Sequence, residues 1–219
     1  MSGNDFLKLY WTQYLMLEKE TKACTKYVAF DSVNLKTFSN TFVKILLQIG
    51  SEVDIVAKEL CKIIDPSQKV SNINQYYVII SGKYAEFQDI IISCGDMTLR
   101  PWYGWTSTNS PTWWKVYNAI KHDRYSIRTI FGVKQEIYKF ANLENVLNGL
   151  SGLFQIEQYL FLLAQHDQHM SMPMPGSRLF QMTNHGWENK NQVGDDYFYV
   201  DNETGNLFWE RADVSYNDI

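Results

Sequence analysis

Residues Ser110 to Arg124 read SPTWWKVYNAIKHDR, and they gather more groups capable of chemistry than any other stretch of this chain. Asn118 and His122 stand four apart, so on a helix they share one face. Lys121 lies beside them, and Arg124 falls just beyond, where the helix would fray. One imidazole, one amide and two cations around a small volume suit an anion, most simply a phosphate. Ser110 can cap such a helix by accepting a hydrogen bond from an orphan N–H, and Pro111 suits its first position. Each residue also has a plainer reading. His122 at a helix end favours the C-terminal dipole. Lys121 and Arg124 suit a solvated face. Trp113, Trp114 and Tyr117 suit a core or an interface as well as a base-stacking platform.

Other chemistry is thinly supplied. His166 and His169 in AQHDQH are three apart, as a metal pair on a helix would be, but no third ligand stands at a credible spacing. No metal or cofactor is expected. Asp195, Asp196 and the acids from Asp201 to Glu203 read as turn and surface groups. No cysteine neighbours a marked base, and no Ser-His-Asp set follows from residue order.

The elements that must carry the Ser110–Arg124 cluster follow from periodicity. A first helix is expected from Asp5 to Lys22, followed by a short extended stretch at Tyr27–Phe30. A second runs through Phe42, Leu46, Ile49, Val53, Val56, Leu60 and Ile63 and ends before Asp65-Pro66. Gly50 inside it predicts a cost of about 1 kcal/mol and a site for a kink. A third helix is expected over Ile73–Phe87, weak at Gly82. Asp89–Trp105 reads as two short strands or an irregular aromatic loop. The cluster's helix starts at Pro111. Tyr125–Phe140 fits a strand or a helix equally well. A last long helix covers Asn142–Gln168. The segment from Met170, MSMPMPGS, reads as a linker. Tyr197–Val200 and Asn206–Trp209 around DNETG predict a β-hairpin that packs on the bundle through Phe198, Leu207, Phe208 and Trp209. The fold class expected is therefore mainly α, a helical bundle (residues 1–168) with a linker and small β appendage (169–219).

Composition sets limits. The chain has 219 residues and 45% hydrophobic content, enough for one real core. Its net charge of −4 argues against a broad electrostatic grip on nucleic acid, so phosphate recognition would be local. Cys24, Cys61 and Cys94 are too few and too scattered for a disulfide framework, and suit reduced thiols in a cytoplasmic protein. No secretory leader is visible at the N-terminus, and no apolar run would cross a membrane.

YNAIKH, Tyr117 to His122, together with WWKVYN, KHDR and the downstream ANLENVLNGL, resembles the HEPN superfamily. The resemblance covers the helical part, about residues 1–168, and not the tail. It implies a helical bundle of about five helices, often dimeric, of the kind found in bacterial toxin–antitoxin and antiphage defence systems. The family signature is an arginine, usually followed by a polar residue, then three or more residues and a histidine. Asn118 matches the polar position and His122 the histidine, while Tyr117 holds the arginine's place. Active members are metal-independent endoribonucleases whose two protomers face their motifs together. By that resemblance His122 serves in proton transfer or orients the ribose 2′-hydroxyl. A tyrosine cannot supply a charged fork, so Lys121 or Arg124 must stabilise the phosphate if the chain cuts RNA. The candidate catalytic set is thus His122, Asn118, Lys121 and Arg124, with Tyr117, Trp114 and Arg128 as substrate contacts. The alternative is a catalytically inactive all-α module that binds a cognate protein or its own copy. Arg178 and His185 reproduce the signature's spacing, but in an expected loop.

Overall fold

The second predicted helix is the frame of the molecule. In a computed structural model that describes residues 1–130, 132–164, 173 and 175–182, with the backbone strands 191–193, 196–200 and 207–211, it is α3 (Asn40–Ile64). Ser39 caps it, its hydroxyl accepting from the Phe42 N–H at 3.1 Å. Phe42, Ile45, Leu46, Ile49, Val53, Val56 and Leu60 are buried in one stripe, and the helix stops ahead of Pro66 as the sequence predicts. It packs along α6 (Leu143–Ala164). Glu144 and Glu157 are the only charged residues of α6, and it is buried on all sides over nearly its whole length, as a central helix must be. Gln165–Gln168, expected to extend it, and the pair His166 and His169 lie outside the described residues.

The first predicted helix is three pieces in line: α1 (Gly3–Phe6), a π turn (Leu7–Trp11) and α2 (Thr12–Ala23). Ser2 and Asp5 form a capping box at its start. Phe6 and Trp11 are five apart, too far for one α-helical face. The π turn absorbs the extra residue, so Phe6, Trp11, Tyr14 and Leu17 all reach the core. The third helix, α4 (Ile73–Lys83), ends one residue after Gly82 instead of reaching Phe87. Both readings of Asp89–Trp105 hold in part. β1 (Ile92–Cys94) and β2 (Met97–Leu99) form an antiparallel hairpin, and an aromatic loop follows with Trp102 and Trp105 buried.

The cluster's helix is α5 (Thr112–His122). Pro111, expected inside it, is its N-cap, and no side chain caps it, so Ser110 does not have the role predicted for it. Proline lacks an N–H and cannot accept through a side chain, which leaves the first turn to other contacts. The ambiguous stretch after α5 resolves as a second hairpin, β3 (Ile127–Ile130) and β4 (Val133–Glu136), with Ile127 opposite Glu136 and Ile130 opposite Val133.

The expected linker is a strap where it is described. The Trp11 indole donates to the Pro175 carbonyl at 2.8 Å. Glu18, buried on α2, accepts from the backbone N–H groups of Arg178 and Leu179 at 3.1 Å each and from the Ser177 hydroxyl. Phe180 packs on Phe154, and β5 (Gln181–Met182) adds to the free edge of β1. The tail hairpin exists as β7 (Asp196–Val200) and β8 (Leu207–Arg211), with β6 (Asn191–Val193) as a third strand on β7. Its expected packing on the bundle depends on side chains outside the described ones. The protein is mainly helical with small sheets of two and three strands.

Candidate functional site

α5 has two unlike sides. On the inner side Trp113, Trp114, Val116, Tyr117 and Ile120 are buried. The Trp113 indole N–H donates to the Pro101 carbonyl at 2.7 Å, and its ring lies so close to α6 that a Cβ on Gly152 would come within 3.2 Å of it. Tyr117 lies over Gly50 of α3. A Cβ there would meet the base of its ring at 2.4 Å, which no side chain tolerates. Gly50 is therefore the price of admission for an aromatic ring, not a kink, and α3 runs on unbroken. Trp114 and Tyr117, expected as substrate contacts, are 5% and 4% exposed and belong to the core. Burying two large rings outweighs leaving them for a ligand.

The outer side is polar and open. Lys121 and His122 are exposed in the last turn and Asn118 is half-buried. Among the described residues, the side chains of Asn118, His122 and Arg124 have no hydrogen-bond or ion-pair partner. The Lys121 ammonium sits 5.6 Å from the Tyr117 ring centre, which attracts it through the ring's electrons. Asp123 closes the helix. Its carboxylate accepts from the Tyr125 N–H at 3.0 Å, the Ser126 N–H at 3.1 Å and the Ser126 hydroxyl. The Ser126 hydroxyl bond, then the two backbone bonds and last the Arg128 charge, hold that carboxyl below its ordinary 3.8. Arg128 pairs with Asp123 at 3.8 Å, so it braces the turn as well as facing solvent.

The structure brings Asn118, Lys121 and His122 to one helix end, as the spacing predicts. Arg124 goes elsewhere. With Tyr125 it lines an open groove of about 770 Å³ against α3, whose other walls include Asn40, Lys44, Gln48 and Tyr138. Asn118, Lys121 and His122 do not line that groove. Charge follows the same geography. Residues 115–139 hold six of the 20 Lys and Arg but only two of the 24 Asp and Glu, a local +4 within a chain of −4.

Metal and thiol chemistry find no support among the described residues. No group of three His, Cys, Asp or Glu is placed to hold a metal. The three cysteines are free and buried, and burial pushes the Cys61 thiol up to about 12 and Cys94 to about 11, away from a reactive thiolate. No helix among the described residues is long and apolar enough to cross a membrane.

No protein-family model, curated protein or solved structure matches this chain. The α3 side of the groove was missed in sequence. Asn40, Lys44 and Gln48 recur every four residues, a signal available from the start, but only the fold sets that row opposite Arg124 and Tyr125.

Proposed function

We propose that this chain is an HEPN-like protein of bacterial defence or toxin–antitoxin type that engages RNA or nucleotide phosphate at the exposed end of α5. The observation that carries the reading is His122, without a partner among the described residues, beside Asn118 and Lys121 and within a strongly basic stretch of an acidic protein. On this reading the chain is a divergent, metal-independent endoribonuclease. The ribose 2′-oxygen attacks the adjacent phosphorus, His122 takes the 2′-hydroxyl proton, and the bond to the 5′-oxygen breaks. The products are a 2′,3′-cyclic phosphate and a 5′-hydroxyl, which receives a proton. Lys121 neutralises the charge gathering on the phosphate in place of the family arginine. Tyr117 cannot do so, because it is packed on Gly50. As in the family, two protomers in a cytoplasmic homodimer would face these helix ends together.

A second reading has its own observation. Tyr125, Ile127 and Val133 are 93%, 62% and 52% exposed on and beside the β3–β4 hairpin, an apolar surface that suits a protein partner or a second copy in a non-catalytic module.

The test is cleavage of single-stranded RNA in EDTA by the wild type and His122→Ala, with oligomeric state measured on the same samples. Cleavage that disappears in a folded, equally associated His122→Ala protein supports the ribonuclease. An intact substrate with the wild type at high concentration removes it and leaves the interaction module.

A further inference from the structure

The groove between α3 and the Arg124–Tyr125 turn has the makings of a site in its own right. Asn40, Lys44 and Gln48 stand one turn apart along α3, about 6 Å from one to the next, so they present amide, ammonium and amide in a row on one wall. Each amide offers a donor pair and an acceptor, the pattern that base edges match. Val43 and Leu47 give the groove an apolar floor. The opposite wall supplies Arg124, which has no partner among the described residues, and Tyr125. Tyr125 is the most exposed large ring described in the molecule, at 93%. Its backbone is nevertheless fixed, since its N–H is bonded to the Asp123 carboxylate. A ring on a fixed turn with its faces open to solvent offers the kind of surface on which a base stacks. The groove's volume, about 770 Å³, lies within the usual range for small-molecule sites.

We infer that this groove binds one nucleoside phosphate, either free or as a unit of single-stranded RNA. The base stacks on Tyr125 over the Val43–Leu47 floor. Asn40 and Gln48 hydrogen-bond its edge. Arg124 and Lys44 take the phosphate, with Lys44 oriented by Glu20 at 2.5 Å. The inference rests on the phosphate reading of the α5 end only in placing this unit beside the one on which His122 acts. The groove itself needs no cleavage.

The experiment uses two probes on the full chain: AMP, and a short fluorescein-labelled 2′-O-methyl RNA that 2′-oxygen attack cannot cut. Tyr125→Ala and Arg124→Ala change exposed side chains, and circular dichroism checks that they fold. Binding of the probes is expected to weaken about tenfold in Tyr125→Ala, and Arg124→Ala is expected to flatten the salt dependence of RNA binding by roughly 0.7 in log–log slope. Because His122 does not line the groove, His122→Ala is expected to bind AMP as the wild type does. A labelled RNA held far more tightly than AMP assigns the unit to an RNA strand. Equal affinities assign it to a free nucleotide. Wild-type affinity in both Tyr125→Ala and Arg124→Ala overturns the groove, while RNA cleavage that still depends on His122 leaves the proposed function standing. Groove binding with no cleavage by the wild type does the reverse. No binding of either probe, or displacement of RNA by an equal concentration of a polyglutamate peptide, also overturns the groove as a nucleotide site.

Discussion

The two sides of α5 were written by different constraints. Five of its eleven residues face inward and are buried, and among them are three of the largest rings in the chain. Its outer side carries the half-buried Asn118 and the exposed Lys121 and His122, and among the described residues Asn118 and His122 have no hydrogen-bond or ion-pair partner. A helix of this length is marginal alone, so the inner side alone fixes where the outer side stands. The aromatic residues of α5 thus anchor the helix, and its polar ones are left at the surface. Substitutions on the two sides should separate stability from chemistry.

Trp113→Ala tests the inner side hardest. It removes a buried ring and the Pro101 hydrogen bond, and a loss of about 3–5 kcal/mol is expected in urea denaturation. A loss below about 1 kcal/mol would mean that α5 is not anchored here. Next comes Gly50→Ala. Helix propensity alone predicts a gain near 1 kcal/mol, but the clash with Tyr117 should turn this into a loss of about 1–3 kcal/mol. Combined with Tyr117→Ala the two effects should be strongly non-additive. A stabilised Gly50→Ala protein would show that the ring does not lie there.

Glu157→Gln acts on the same core, in the opposite direction. Glu157 is 1% exposed on α6, and its Oε2 has no hydrogen-bond partner among the described residues. Burial first, and the nearby Glu52 second, hold its carboxyl well above the ordinary 4.5. The folded protein therefore binds a proton that the unfolded chain releases above that value. Stability falls as pH rises from 4.5 toward the folded value. Glu157→Gln should remove this fall and raise Tm near neutrality by roughly 2–4 °C, the equivalent of about 1 kcal/mol. The gain should shrink to nothing below pH 4.5, and thermal scans across that range decide it.

On the outer side the effects on stability are small. His122→Ala should shift unfolding by no more than about 0.5 kcal/mol while removing RNA cleavage. A large loss of stability would put His122 in the frame rather than in the site. Asp123 has the smallest effect, and it is local. Its carboxyl lies below 3.8 in the fold, so the turn it closes is complete above that value and loosens as pH falls through the lowered one. The amide signals of Tyr125 and Ser126 should report this in acid, and Asp123→Ala should abolish the titration.

Much of this frame was legible. α3 and α6 were readable because Phe42, Leu46, Ile49 and Val53, and Leu143, Leu147 and Leu150, repeat at three and four, with few charges to interrupt them. The helix end bearing Asn118 and His122 was readable for the same reason. Tyr125–Phe140 was not, since Ile127, Ile130, Val133 and Ile137 satisfy either period, and only the pairing of Ile127 with Glu136 decides for a hairpin. Gly50 could be seen as a weak point in a helix but not as a seat, because Tyr117 lies 67 residues away in sequence. The groove hid for the same reason: its walls come from opposite ends of the fold's middle section, and no local pattern links them.

The Glu18 strap also sets a timetable. Glu18 and Ser177 are separated by 159 residues. At synthesis rates of about 5–20 residues per second, the carboxylate leaves the ribosome roughly 10–30 seconds before the hydroxyl and amides that will cover it. Through that interval the face of Trp11, Tyr14 and Glu18 is a nascent surface waiting for its own downstream chain. Closing so long a loop is slow and comes late. The bonds that cover Glu18 therefore form only after the residues that lead into the tail have followed the first helix out of the ribosome.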